Sequence, residues 1–139
     1  MSEIVMTHDA DKAISLMRET TLWMEQKGIQ IIKSWQLENL NKPYIETRHK
    51  IEPQEYYVFY MDEMPVGACI FQIGDKLHIW PEDKRNIPAV YLYKFCVVAP
   101  FKGKGISDKI LSKLKEETKR LGIKMFRLNY YQKRFIYLI

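Results

Sequence analysis

The chain has 139 residues, 47% apolar and 28% charged, which is the size and balance of one globular domain and excludes a disordered or collagen-like chain. No apolar run approaches the ~20 residues of a membrane span, and the N-terminus MSEIVMTHDADK has no basic or apolar leader region, so a cytoplasmic domain without a secretory signal is expected. The net charge of +5 hides an asymmetry: residues 1–93 sum to −4, whereas residues 94–139, with 12 Lys/Arg against 3 Asp/Glu, sum to +9, pointing to an anionic partner for the C-terminal third.

With no internal repeat and no low-complexity linker, residues 1–139 read as a single domain. Residues 3–7 (EIVMT) suggest a short first strand. From Asp9 onward, Ala13, Leu16, Met17, Thr20 and Met24 recur at spacings of three and four, one face of a helix. Asp9 is placed to cap it and Gly28 to end it in the left-handed conformation. A second helical stretch runs from about Ser34 to Lys50, and Pro43 is expected to break it into two short pieces.

The period then changes. Residues 55–61 (EYYVFYM) and 67–73 (GACIFQI) are rich in β-branched and aromatic side chains and read as an antiparallel hairpin joined by DEMPV. The segment 75–89, with two prolines and clustered charges, is expected to be a loop. Residues 90–98 (VYLYKFCVV) are apolar enough for the centre of a sheet. Ile106, Ile110, Leu111, Leu114 and Leu121 mark one face of a helix that Gly122 ends, its Lys and Arg residues forming a solvated face. Residues 124–131 read as another strand. Strand, glycine turn, helix and strand make a βαβ crossover. The expected class is α+β, a central mixed sheet flanked by helices in the order β-α-α-β-β-β-α-β.

Chemistry is concentrated in Lys102-Gly103-Lys104-Gly105-Ile106-Ser107, between the central strand and the helix. Glycines allow close backbone approach, and the first turn of a helix presents unpaired N–H groups, which together suit a phosphate. The spacing is not that of a Walker loop, and no third glycine makes a dinucleotide fingerprint. Cys69 and Cys96 each lie inside an apolar stretch, against a disulfide framework or a zinc site. His8, His49 and His78 show no metal-ligand spacing, so no metal is expected.

The segment YLYKFCVVAPFKGKGISDKILSKLKEETKRLGIKMFRLNYY resembles motif A of the GNAT superfamily, the acetyl-CoA-dependent N-acetyltransferases. Where the family has Gln/Arg-x-x-Gly-x-Gly/Ala, this chain has Lys102-x-x-Gly105-x-Ser107. The first strand, the paired helices and the DEMPVGACIF hairpin are similar to the family's opening elements. The resemblance implies that the pyrophosphate of acetyl-CoA lies on Lys102, Gly103, Lys104, Gly105, Ile106 and Ser107. It also implies that the pantetheine arm pairs like an added strand with Phe95, Cys96 and Val97. The acceptor is then a primary amine of a small molecule or peptide, which attacks the thioester directly.

A lysine-like amine is mostly protonated at neutral pH, so a base or desolvation must free its lone pair. The family's carboxylate position falls at about Tyr91, which is no base at neutral pH; Glu82 acting through water is the candidate base, with Asp83 beside it. Family members follow the strand equivalent to 124–131 with a further helix, a thiolate-protonating tyrosine and a closing hairpin. Here only YQKRFIYLI follows, so the closing hairpin is expected to be missing or replaced. Tyr137 is the candidate general acid, with Tyr130 and Tyr131 as alternatives. The apolar surface of residues 124–139 would then need cover, and a homodimer through those residues is expected.

Two other functions compete: a non-catalytic or vestigial CoA-binding domain, and a nucleic-acid-binding module suggested by the basic third. The second has no recognisable binding motif, so neither nucleic acid nor membrane is expected as a partner.

Overall fold

A computed structural model describes residues 3–74, 88–130 and 133–138, with side chains as far as Arg127. Strand β1 is Val5–His8 and helix α1 is Ala10–Gln26. The Asp9 carboxylate caps α1 by accepting from the Lys12 backbone N–H at 3.0 Å. At the other end Gly28, at φ 71°, donates to Glu25 O, and Ile29 N–H reaches back to Met24 O at 3.0 Å. That paired closure is available to glycine at no steric cost.

Pro43 does not split the second helix. Helix α2, Lys42–His49, starts there, with Pro43 in its first turn and Asn41 as its cap. A proline in the first turn lacks only an N–H that would be unpaired anyway. The break comes earlier, where Lys33–Trp35 and Leu37–Asn39 are 3₁₀ turns. Arg18 Nη1 donates to Leu37 O at 2.7 Å and Thr21 Oγ1 to Trp35 O at 2.6 Å, so α1 fixes this segment through its carbonyls.

Strands β2 (Tyr56–Met61) and β3 (Met64–Ile73) form a tighter hairpin than DEMPV suggested. Only Asp62 and Glu63 lie between them, both left-handed at φ 51° and 64°, as the right-handed twist of a two-residue hairpin demands. Pro65 and Val66 belong to β3, where Val66 bulges out between the partners of Phe59 and Tyr60. Residues 75–87 of the expected loop, including His78, Trp80, Glu82 and Asp83, lie outside the described residues.

Strand β4 is Val90–Val97, helix α3 is Ile106–Arg120, and β5 (Met125–Tyr130) and β6 (Lys133–Leu138) follow. Among the described residues six strands lie in chain order, all antiparallel except β4 and β5, which α3 connects in parallel. Leu121, expected on the buried face of α3, is 40% exposed beyond the helix end.

The expected order of elements needs one addition. The tail is not left over: β6 pairs antiparallel with β5 from Met125↔Leu138 to Tyr130↔Lys133. The side of β5 that was expected to lie open is thus taken by the chain's own tail, which stands in the place of the closing hairpin.

The sheet carries a core on each face. Phe59, Cys69, Val90, Leu92, Ile106, Ile110 and Leu114 pack on the α3 side, and Ala13, Leu16, Met17, Ile45, Val58, Ile70 and Cys96 on the α1/α2 side. Among the described residues, no helix is long and apolar enough to cross a membrane.

Candidate active site

In β4 the residue alternation breaks. Ala68 pairs with Cys96 and Ile70 with Tyr93, so Lys94 and Phe95 together oppose Cys69 alone. This is a β-bulge, with Lys94 left-handed at φ 50°. Val90 and Leu92 face the α3 core, and strict alternation would send Lys94 and Cys96 the same way. The bulge reverses the parity, so that Cys96 packs on the α1/α2 side and Val97 on the α3 side.

Beyond the bulge β4 also parts from its parallel neighbour. Pairing with β5 runs through Val90↔Phe126, Tyr91↔Arg127 and Leu92↔Leu128 and stops there. Among the described residues no strand pairs with that side of Tyr93–Val97.

The glycine turn closes the same region. A 3₁₀ turn at Ala99–Phe101 leads into Gly103 and Gly105, both at φ 75°, and Gly105 is the N-cap of α3 with no side chain capping the helix. A Cβ on either glycine would meet no atom within 4 Å, so the space in front of the turn is open.

A cleft of about 680 Å³ joins these parts, within the range of small-ligand sites. Its floor is Phe95, Cys96 and Val97; one end is Lys102, Gly103, Gly105, Ile106 and Ser107; the far wall is Thr20, Met24, Ile29, Ile32, Trp35 and Lys94. Eight of the nine residues expected to hold the donor therefore line one cleft. The ninth, Lys104, is exposed and not part of the lining. Lys102 Nζ sits 4.8 Å from the centroid of the Trp23 ring, which places a cation at the glycine end.

The candidate proton-transfer groups are placed differently. Glu82 lies outside the described residues. Tyr137 stands opposite Phe126, which pairs with Val90. Its row is five residues from Phe95 along β4, on the order of 15 Å at the rise of a strand. Tyr130, at the far end of β5, lies toward the splayed end. Tyr91 does not line the cleft: it is 1% exposed, accepts a hydrogen bond from Arg127 and stacks on Tyr93 at 6.3 Å.

Burial pushes the Cys96 thiol up to about 11, so it is protonated at neutral pH and a poor nucleophile. Cys69 is raised well above its ordinary range for the same reason, and the two cysteines are free.

Nothing in the local pattern of β4 singles out Lys94. Its Nζ donates to Ser34 O at 2.6 Å and lies 5.4 Å from the Trp35 ring centroid. Burial lowers its pKa to about 8. His49, one of the three histidines without metal-ligand spacing, belongs to the same neighbourhood: burial, then the charges of Lys94 and Arg48, hold it at about 4. Its Nε2, with Glu46 Oε1 and Tyr56 OH, is buried without a hydrogen-bond partner among the described residues. No local signal announces such a cluster, because α2 and the sheet bring it together.

The sequence model of the acetyltransferase (GNAT) family matches residues 16–136. No curated protein matches the chain. A GNAT-family acetyltransferase structure from Listeria monocytogenes 4b F2365 is 19% identical, with a TM-score of 0.68 over 94% of this chain and 78% of that one. A protein from Clostridium acetobutylicum described as a predicted acetyltransferase, solved with acetyl-CoA, is 14% identical, with a TM-score of 0.57 over 95% and 82%. An aminoglycoside acetyltransferase from an uncultured soil metagenomic sample, in complex with sisomicin, is 18% identical, with a TM-score of 0.55 over 94% and 78%. At these identities the likeness is one of fold.

Proposed function

The chain belongs to the GNAT acetyltransferase family, an acyltransferase class, and from that premise we propose that it moves an acetyl group from acetyl-CoA to a primary amine by direct attack. The observation that carries this reading is the meeting of two features in one cleft: an uncapped helix N-terminus behind two left-handed glycines, and a strand side that β5 leaves unpaired.

The residues present fit the donor. Backbone N–H groups from Gly103 to Ser107 are available to a pyrophosphate, with the open space in front of Gly103 and Gly105 where a Cβ would intrude. Lys102 adds a cation there. The free side of Phe95–Val97 offers backbone donors and acceptors to an amide-bearing arm. Bound there, the thioester supplies an activated acetyl carbonyl. Backbone N–H groups at the bulge are the donors nearest to where its oxygen would gain charge.

Glu82 is the candidate base through water. For returning a proton to the departing thiolate, register favours Tyr130 over Tyr137. The basic C-terminal third is accounted for by the polyanionic donor, and residues 124–139 supply the edge through which we place a homodimer.

Thermal denaturation with and without ligand tests the reading. CoA or acetyl-CoA at ~100 times its dissociation constant should add about 2.7 kcal/mol, whereas adenosine, which lacks the pyrophosphate, should add little. No shift at saturating CoA rejects the donor site. A shift without turnover on any amine favours the non-catalytic CoA-binding domain.

A further inference from the structure

Lys94 lines the cleft, yet nothing in donor binding requires its charge. The β4 bulge turns it toward the α1/α2 side, against the segment that Thr21 and Arg18 hold in place. One of its three N–H donors is taken by Ser34 O at 2.6 Å, and its ammonium lies 5.4 Å from the Trp35 ring centroid. A carbonyl and a ring face attract a cation but do not neutralise it. Among the described residues no carboxylate forms an ion pair with Lys94; the pairs present are Lys42–Asp11 and Arg120–Glu117. A desolvated charge without a counter-ion is costly, and one carbonyl and one ring face leave two of its N–H donors and its net charge without a partner of opposite sign.

The electrostatics of the neighbourhood agree. Desolvation is the cause that lowers Lys94 to about 8, with no opposing charge among its causes. Its field is also one of the reasons that His49 is held at about 4. The wall around it is otherwise uncharged: Met24, Ile29, Ile32 and Trp35 are apolar, and Thr20 and Gln30 add only neutral polar groups.

We propose that the acceptor is an amino acid, whose carboxylate is bound by Lys94 Nζ while its amine is turned toward the floor at Cys96 and its side chain lies against Trp35 and Ile32. The proposal rests on the acetyltransferase reading above and names its substrate class. Lys94 is on this view a positioning residue that holds the acceptor and takes no part in the acyl transfer. An amine without a carboxylate would enter the same pocket but leave the ammonium unpaired, which is how such a site discriminates.

The test uses matched pairs, each amino acid against its own carboxamide, on the CoA-saturated protein. The readouts are the further rise in Tm and, with acetyl-CoA, the release of CoA thiol. Amidation lowers the pKa of the neighbouring amine and frees more of its lone pair at pH 7, so an unassisted reaction favours the amide. The proposal expects the opposite: at least one amino acid binds and reacts about tenfold or more better than its amide. Lys94→Met should erase that preference while leaving the CoA-induced shift in place, and Lys94→Arg should keep part of it.

If no acid outperforms its amide in either readout, or if Lys94→Met keeps the preference, the inference is overturned while the donor site stands. If CoA itself gives no shift, the acetyltransferase reading fails first. Circular dichroism of both variants separates a misfolded protein from a changed preference, and Lys94→Arg decides alone should Lys94→Met not fold.

Discussion

The α-carbon of Gly67 faces the carbonyl of Cys96 so closely that a Cβ built on it stands 2.6 Å from that oxygen and 3.0 Å from Ile110 Cδ1. Gly67 pairs with Val97, so β3, β4 and α3 all meet at this point beneath the cleft floor. Gly67→Ala must push β4 or α3 away. Overpacking of this kind costs about 1–3 kcal/mol. Urea denaturation should show that loss, together with a smaller CoA-induced stabilisation than in the parent. An unchanged midpoint would mean that β4 is not held where it is described.

Gly105 is the contrary case, in which space is free and only the backbone objects. At φ 75° a side chain costs roughly 1–2 kcal/mol, less for Asn and Asp, which tolerate the left-handed region. Gly105→Asn and Gly105→Asp should therefore both fold. They have the same shape and differ in charge. Titration calorimetry should find CoA bound more weakly by both, and at least tenfold more weakly by the Asp variant than by the Asn variant. Parent-like binding in both would place the pyrophosphate elsewhere.

His49 makes the stability depend on pH in a defined window. Its pKa falls from 6.5 to about 4 in the fold, so between those values the unfolded chain binds the extra proton and the folded chain does not. Stability therefore falls as pH is lowered from about 6.5 to about 4, and this contribution is constant above 6.5. His49→Gln should flatten that part of the pH profile while the slope from carboxylates persists. An identical profile in both proteins would show that His49 protonates as freely in the fold as outside it.

Among the described residues β6 is an edge strand of the sheet, and the homodimer proposed above is tested there. The inner side of β6 pairs with β5, and its outer side is the end of the sheet. Such an edge invites pairing with another chain. Sedimentation velocity across the micromolar range should detect a dimer, and loss of residues 133–139 should shift it to monomer. A single monomeric species throughout would show that the tail's pairing with β5 suffices.

What the sequence determined by itself is what depends on near neighbours. Asp9 caps α1 because its side chain reaches an N–H three residues on, and Gly28 and Gly122 end helices because the left-handed closure lies within one turn. The glycine turn before α3 is legible for the same reason, and with it the residues that line one end of the cleft. The tertiary structure decided what depends on partners far along the chain. The bulge at Lys94 exists because β3 and β4 pair in two registers, one on each side of Cys69. Periodicity within β4 therefore puts Lys94 and Cys96 on the wrong face. The pairing of β6 with β5 and the meeting of His49 with Lys94 are of the same kind. Each is a contact between distant segments whose free energy belongs to neither alone.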